Sequence, residues 1–203
     1  MTFYIVIITC IVSILGFYNQ VLTNQLIFEP YVVHKYKQWY RFFTCGLLHA
    51  DFIHLAVNMF VLYSFGNAVE QYYSMAFGHP KSIFMYLLLY ISSIGAANVS
   101  TYQKYLNSSN YRSLGASGAV SAIVFVFILF RPYQKIYLYG LIGLPAIVWG
   151  IVYMIYSWYM NQKATDNVNH DAHFFGAVYG MLFTIFFKPS LFLFFIKQVF
   201  WLI

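Results

Sequence analysis

The chain has 203 residues, of which 62% are hydrophobic and only 8% charged, and its mean hydropathy is +0.68. A soluble domain carries about 25% charged residues, so the composition excludes one and indicates an all-α polytopic integral membrane protein. The net charge of +6 comes from scattered Lys and Arg; this pattern suits loops facing anionic headgroups and speaks against nucleic-acid binding.

The length suits one helical bundle, a single membrane domain over residues 1–203. Aromatic residues reach 23%, and Tyr and Trp favour the membrane interface. Two cysteines, Cys10 and Cys45, give no disulfide framework and read as small packing residues. The N-terminus has neither a basic n-region nor an A-x-A-like site, so its apolar run is read as a retained helix.

Apolar runs near the length that crosses ~30 Å of hydrocarbon mark six spans. The first is Thr2–Tyr18. Residues 19–48 mix apolar and cationic side chains and suggest one or two short helices lying in the interface. Further spans are expected at Phe52–Tyr73, Ile83–Val99, Leu114–Phe130, Ile136–Tyr159 with a kink at Pro145, and Asp171–Phe187. The loops 100–113 and 161–169 are polar, and the tail from Leu191 is too short to cross. Basic residues divide five against six between the two sides, so charge does not orient the chain.

The chemistry gathers at the openings of the fourth and sixth spans. Gly115-Ala-Ser-Gly118 places Ser117 beside two glycines. From Leu114 to Phe130 the span covers only about 25 Å at ~1.5 Å per residue, which sets Ser117 below the membrane surface, at the floor of a water-filled depression. His173 precedes Gly176 and Gly180 on one helical face. Packing that small-residue stripe on Gly118 and Ala122 would bring His173 to Ser117, as a serine nucleophile and its base require. His54 and Asn58, one turn apart in the second span, are candidate oxyanion donors with the Ser117 N–H. Asp171 points about 160° away from His173 around a helix and reads as a helix cap, so a Ser–His dyad is expected rather than a triad.

These residues carry a resemblance. The chain resembles the rhomboid intramembrane serine proteases over nearly its whole length. The matching motifs are G-x-S-G at Gly115–Gly118, A-H-x-x-G-x-x-x-G at Ala172–Gly180, H-x-x-x-x-H-x-x-x-N at His49, His54 and Asn58, G-x-x-x-E at Gly66–Glu70, and the aromatic–Arg pair Tyr40-Arg41. The resemblance implies a six-helix rhomboid core that needs no cofactor, with Ser117 as nucleophile and His173 as base and acid. It implies an oxyanion site at His54 and Asn58, and structural roles for His49, Arg41 and Glu70. It further implies membrane-protein substrates, a place in the cell (inner) membrane with cytoplasmic termini, and substrate access between the second and fifth spans. One departure is Ser121, where some members carry an aromatic stacked on the histidine; Phe174 or a fifth-span aromatic is the expected substitute.

Two other readings compete. His170 and His173, with His49, His54 and Asp171, form a conceivable metal set. There is no H-E-x-x-H, and His49 and His54 are five apart, a poor spacing for one helical face, so no metal is expected. A non-proteolytic membrane binder is the third reading, and the intact Ser117/His173 pair argues against it.

Overall fold

The computed structural model describes residues 1–138, 142–163 and 168–200. The helices are α1 (Thr2–Tyr18), α2 (Gln20–Leu26), α3 (Pro30–Tyr36), α4 (Arg41–Thr44), α5 (Phe52–Phe77), α6 (Lys81–Tyr105), α7 (Ser117–Phe130), α8 (Ala146–Lys163), α9 (His170–Phe187) and α10 (Ser190–Val199). The six expected spans fall on α1, α5, α6, α7, α8 and α9, and the fold is a helical membrane bundle. By length and apolarity α5 and α6 each suffice to cross, α1 and α7 are shorter, and α9 with α10 forms a pair bent by 119°.

Local chemistry explains the boundaries. Asp51 caps α5 by accepting from the His54 N–H at 2.8 Å. Pro30 opens α3, and Lys37 closes it in the left-handed conformation. α7 is apolar on every face and buried almost throughout, the mark of a central helix. It packs against α5, α6 and α9, while α1 covers α5 and α8 leans chiefly on α9. The outward apolar side chains, among them Ile53, Phe60, Ile155, Leu182 and Phe186, are exposed, as lipid-facing residues are in a bundle.

Two expectations are corrected. Residues 19–48 form three short helices and a 3-10 turn at Cys45–Leu47, one more helix than the mixed pattern suggested. The fifth span does not begin at Ile136. Strand β1 (Lys135–Leu138) pairs antiparallel with β2 (Ile142–Pro145), and α8 starts at Ala146. Proline lacks the N–H and disfavours helix in the residue before it, so Pro145 sets where the helix begins instead of kinking it. Residues 139–141, 164–167 and 201–203, parts of the fifth span, the second polar loop and the tail, lie outside the described residues.

Candidate active site

The segment leading to Ser117 is held from below and from the side. Phe28 and Ser113 exchange two backbone hydrogen bonds of 3.0 Å, and the Gly115 N–H donates to Cys45 O at 3.0 Å. The buried Glu29 carboxylate stands 3.4 Å from Arg112 Nε and 3.7 Å from Arg41 Nη1. Arg41 also donates to Asn24 O and Ile27 O, at 2.8 and 2.7 Å. Gly115 has φ +129, a conformation that disfavours any side chain. A Cβ there would lie 3.4 Å from His54 Nε2 and 3.7 Å from Ser117 Oγ. The missing side chain leaves that space open between the two groups. Ser117 is the first residue of α7, so its N–H has no partner within the helix. The 14 residues of α7 span about 21 Å, shorter than the sequence suggested, because residues 114–116 precede the helix.

His173 is positioned by the α7–α9 crossing. A Cβ on Gly176 would strike Gly118 O, and one on Gly180 would lie 2.5 Å from Ala122 O. Only glycine lets the backbones approach this closely. The start of α9 is fixed by Asn169, whose Oδ1 accepts from Ala172 N at 3.1 Å and from Thr101 Oγ1 at 3.0 Å. Asn169 is therefore the cap, not Asp171, which lies in the first turn and pairs with Lys104 Nζ at 3.7 Å. The imidazole of His173 stacks on Tyr153 from α8, with centroids 6.0 Å apart and planes at 22°. Phe174 pairs with Phe175, so the fifth-span aromatic is the substitute for the missing stacking partner. The Tyr153 hydroxyl lies 2.5 Å from Ser121 Oγ, the position where the departure occurs.

The third element is the start of α5. The Ala50 N–H, which can only donate, meets His54 Nδ1 at 3.3 Å. In the neutral ring the proton therefore sits on Nε2, the atom facing the Gly115 gap. Asn58 Nδ2 donates to His54 O at 2.9 Å and retains a second N–H. His49 lies beneath, its ring 4.9 Å from that of His54. Ser13 gives its hydrogen to Leu47 O, so His49 donates from Nδ1 to Ser13 Oγ at 2.9 Å. Burial, and secondarily the neighbouring His54, pushes His49 down to about 3. At the far end of α5, Glu70 accepts from the N-terminal amino group at 2.8 Å and from the Thr2 N–H.

Ser117, His173, His54 and Asn58 line one cavity of about 1130 Å3 between α5 and α8. The conceivable metal residues split into two pairs, His49 with His54 and His170 with His173. Among the described residues no three potential ligands converge. The sequence reading did not single out Glu29, Asp51 or Tyr153. A carboxylate in a basic, apolar segment pointed to Glu29, and Asp three residues before His is a capping spacing. Tyr153 had no local signal.

The Rhomboid domain family model matches residues 36–190. The chain is 29% identical to "Rhomboid-like protein 11, chloroplastic" of Arabidopsis thaliana over 75% of its own length and 54% of that protein. It is 28% identical to "Rhomboid protease AarA" of Providencia stuartii over 72% of its length and 55% of that protein. The chain thus spans about half the length of these curated relatives. With a family model covering most of the sequence and the bundle to match, this membrane protein belongs to the rhomboid family.

Proposed function

We propose that the protein is an intramembrane serine endopeptidase that hydrolyses a peptide bond in or near the transmembrane segment of membrane-protein substrates. The observation that carries the reading is the convergence of Ser117, His173, His54 and Asn58 on one cavity, at the ends of helices whose crossing only glycine permits.

In this reading Ser117 Oγ attacks the scissile carbonyl carbon and His173 takes the hydroxyl proton. The oxyanion is received by the Ser117 N–H, by His54 Nε2–H and by the second Asn58 N–H. The C–N bond breaks as His173 returns the proton to the leaving amine. Water then repeats the cycle on the acyl-enzyme, with His173 again as base, and releases the carboxylate and free Ser117. Asp171 is engaged with Lys104, and in this reading Ser117 and His173 work as a dyad.

A helical substrate hides its carbonyls in its own hydrogen bonds, so the segment unwinds locally before it can react. Spans with Gly, Pro or other weak helix formers near the cut, and a small residue before it, are the preferred substrates. Replacing those residues with Leu across a substrate series lowers cleavage; equal rates throughout would sink this part of the reading. The same reading assigns the protein to the cell (inner) membrane with both termini cytoplasmic, as one membrane domain over residues 1–203.

The deciding experiment is cleavage of a single-span substrate by purified protein in detergent, comparing wild type with Ser117→Ala and His173→Ala. The expected result is activity that both variants abolish and chelator leaves intact, with a fluorophosphonate probe labelling Ser117. Cleavage that survives Ser117→Ala ends the serine-protease reading.

A further inference from the structure

The stack on His173 comes from α8, the helix that walls the cavity opposite α5. Two separate contacts hold Tyr153 there. Its ring lies over the imidazole, and its hydroxyl meets Ser121 Oγ at 2.5 Å. Ser121 already donates its one hydrogen to Ser117 O at 2.8 Å, so Tyr153 is the donor in the shared bond. A chain of hydrogen bonds thus runs from Tyr153 through Ser121 to the carbonyl of Ser117. One side chain on α8 restrains His173 directly and the first turn of α7 through Ser121.

The seat of α8 is narrow. Its fully buried residues are the stripe Ala146, Gly150 and Ser157, with Ile147, Tyr153 and Met154 partly buried beside them; it leans chiefly on α9, and at Gly150 it approaches Ile128 of α7. Its other side, including Ile151, Val152, Ile155 and Trp158, is exposed. Toward α5 it faces the cavity rather than a packed partner. A helix held along one edge beside an open cavity can tilt at low cost, because few buried contacts are lost.

We propose that Tyr153 makes the site conditional on the seating of α8. With α8 seated, the ring orients the imidazole and the hydroxyl fixes the Ser117 turn; with α8 tilted outward, both restraints go together. Any segment thick enough to part α8 from α5 therefore meets an unassembled dyad until α8 closes on it. This rests on the roles given to Ser117 and His173 above. Tyr153 is a positioning residue, since it acts on the chemistry only through His173 and Ser121.

The test reads the histidine itself. Protein with labelled histidine is examined by NMR in micelles, alongside cleavage of the single-span substrate. In Tyr153→Leu the His173 ring resonances are expected to lose their ring-current displacement and to average between rotamers, with kcat about tenfold lower and KM unchanged. Tyr153→Phe keeps the ring and the wild-type His173 resonances. It loses the hydroxyl bond to Ser121 and so matches Ser121→Ala in kcat, and the double variant is no worse than either. Gly150→Val presses α8 off α7: its Cβ would stand 2.8 Å from Ile128 Cδ1 and 3.5 Å from Phe125 Cζ, so turning the flexible isoleucine tip aside still leaves the γ-methyls against the Phe125 ring. It reproduces the Tyr153→Leu spectrum without touching Ser117 or His173. Thermal unfolding checks that each variant is folded, and Tyr153→Met carries the same test if Tyr153→Leu is not. His173 resonances unmoved in Tyr153→Leu or Gly150→Val overturn the proposal. A wild type that cleaves nothing and takes no fluorophosphonate, yet shows the spectral response, overturns the protease reading and leaves the positioning role standing.

Discussion

Replacing Gly176 with alanine puts a methyl group where α9 crosses α7. That carbon would collide with Gly118 O and stand 2.8 Å from Gly118 C and 2.9 Å from its Cα. Ordinary contact begins near 3.4 Å, and the opposing atoms are backbone, with no rotamer to yield. The helices must part by about 1 Å before that oxygen is back at an ordinary contact distance. Overpacking of this sort costs about 1–3 kcal/mol. His173 lies one turn before Gly176 and moves with it, and a misplacement on the order of 1 Å at reacting groups lowers the rate about 10²-fold. Gly176→Ala should therefore lose about a hundredfold in kcat. Gly180→Ala is the control. Its Cβ would lie 2.5–2.7 Å from Ala122 backbone, so its stability loss is similar, but it is two turns from His173 and parts the helices at the far end. Thermal unfolding by tryptophan fluorescence, with cleavage of a single-span reporter in proteoliposomes, separates the two effects. Wild-type kcat in Gly176→Ala despite a lowered Tm refutes the claim that this crossing sets the Ser117–His173 distance. Equal activity losses in both variants would mean that activity merely follows stability.

Three further outcomes are expected. His54→Ala and Asn58→Ala each lower kcat by roughly 10²–10³-fold with KM nearly unchanged, as loss of one oxyanion donor does; steady-state kinetics in detergent decides it, and a change confined to KM would reassign them to substrate binding. Glu29→Gln removes the carboxylate shared by Arg41 and Arg112 and costs about 1–3 kcal/mol, read as a fall in Tm larger than that of Arg112→Gln, whose side chain is half exposed. His49 is held near 3 against an unfolded value of 6.5: between those pH values the unfolded chain binds a proton that the folded chain refuses, so stability is full above pH 6.5 and falls as pH drops, by up to roughly 5 kcal/mol. His49→Gln flattens that slope, and a wild-type unfolding midpoint constant from pH 7 to pH 4 would contradict it.

The parts of the fold set by local pattern were legible in the sequence. The helices α1, α5, α6, α7 and α9 follow apolar runs, and α9 announced its contact with α7 because Gly176 and Gly180 lie one turn apart. The helical register of His54 with Asn58 and of His173 with Gly176 was legible for the same reason, since each pair lies within one helix. What stayed hidden depends on long-range pairing. The run from Ile136 is apolar enough for a span, and its hairpin forms only because strand pairing satisfies backbone groups that Pro145 denies to a helix. Tyr153 sits among other aromatics of α8 with nothing local to single it out; its role comes from Ser121 and His173, 32 and 20 positions away by sequence. The cap of α9 was misassigned because Asn169 and Asp171 are both good cap residues, and the contact from Thr101 favours Asn169.

The arrangement has a common electrostatic logic. Ser117 is the first residue of α7, His54 the third of α5 and His173 the fourth of α9. Three helix N-termini, each with a partial positive charge and first-turn N–H groups, therefore open on one cavity. Two of them are already capped, α5 by Asp51 and α9 by Asn169. α7 has no side-chain cap, so its first N–H groups remain for a ligand oxygen. A carboxylate close to Ser117 would occupy those donors and compete with the oxyanion, and Asp171 instead faces Lys104. The same geometry accounts for the short α7. In the proposed reading, starting the helix at Ser117 sets its uncapped terminus inside the membrane, where weaker screening makes each donor count for more than it would in water. A longer α7 would carry those N–H groups to the surface, and a capped one would fill them. Stabilisation of developing negative charge at that open end is what the proposed hydrolase needs, and it is what this short, glycine-framed helix offers.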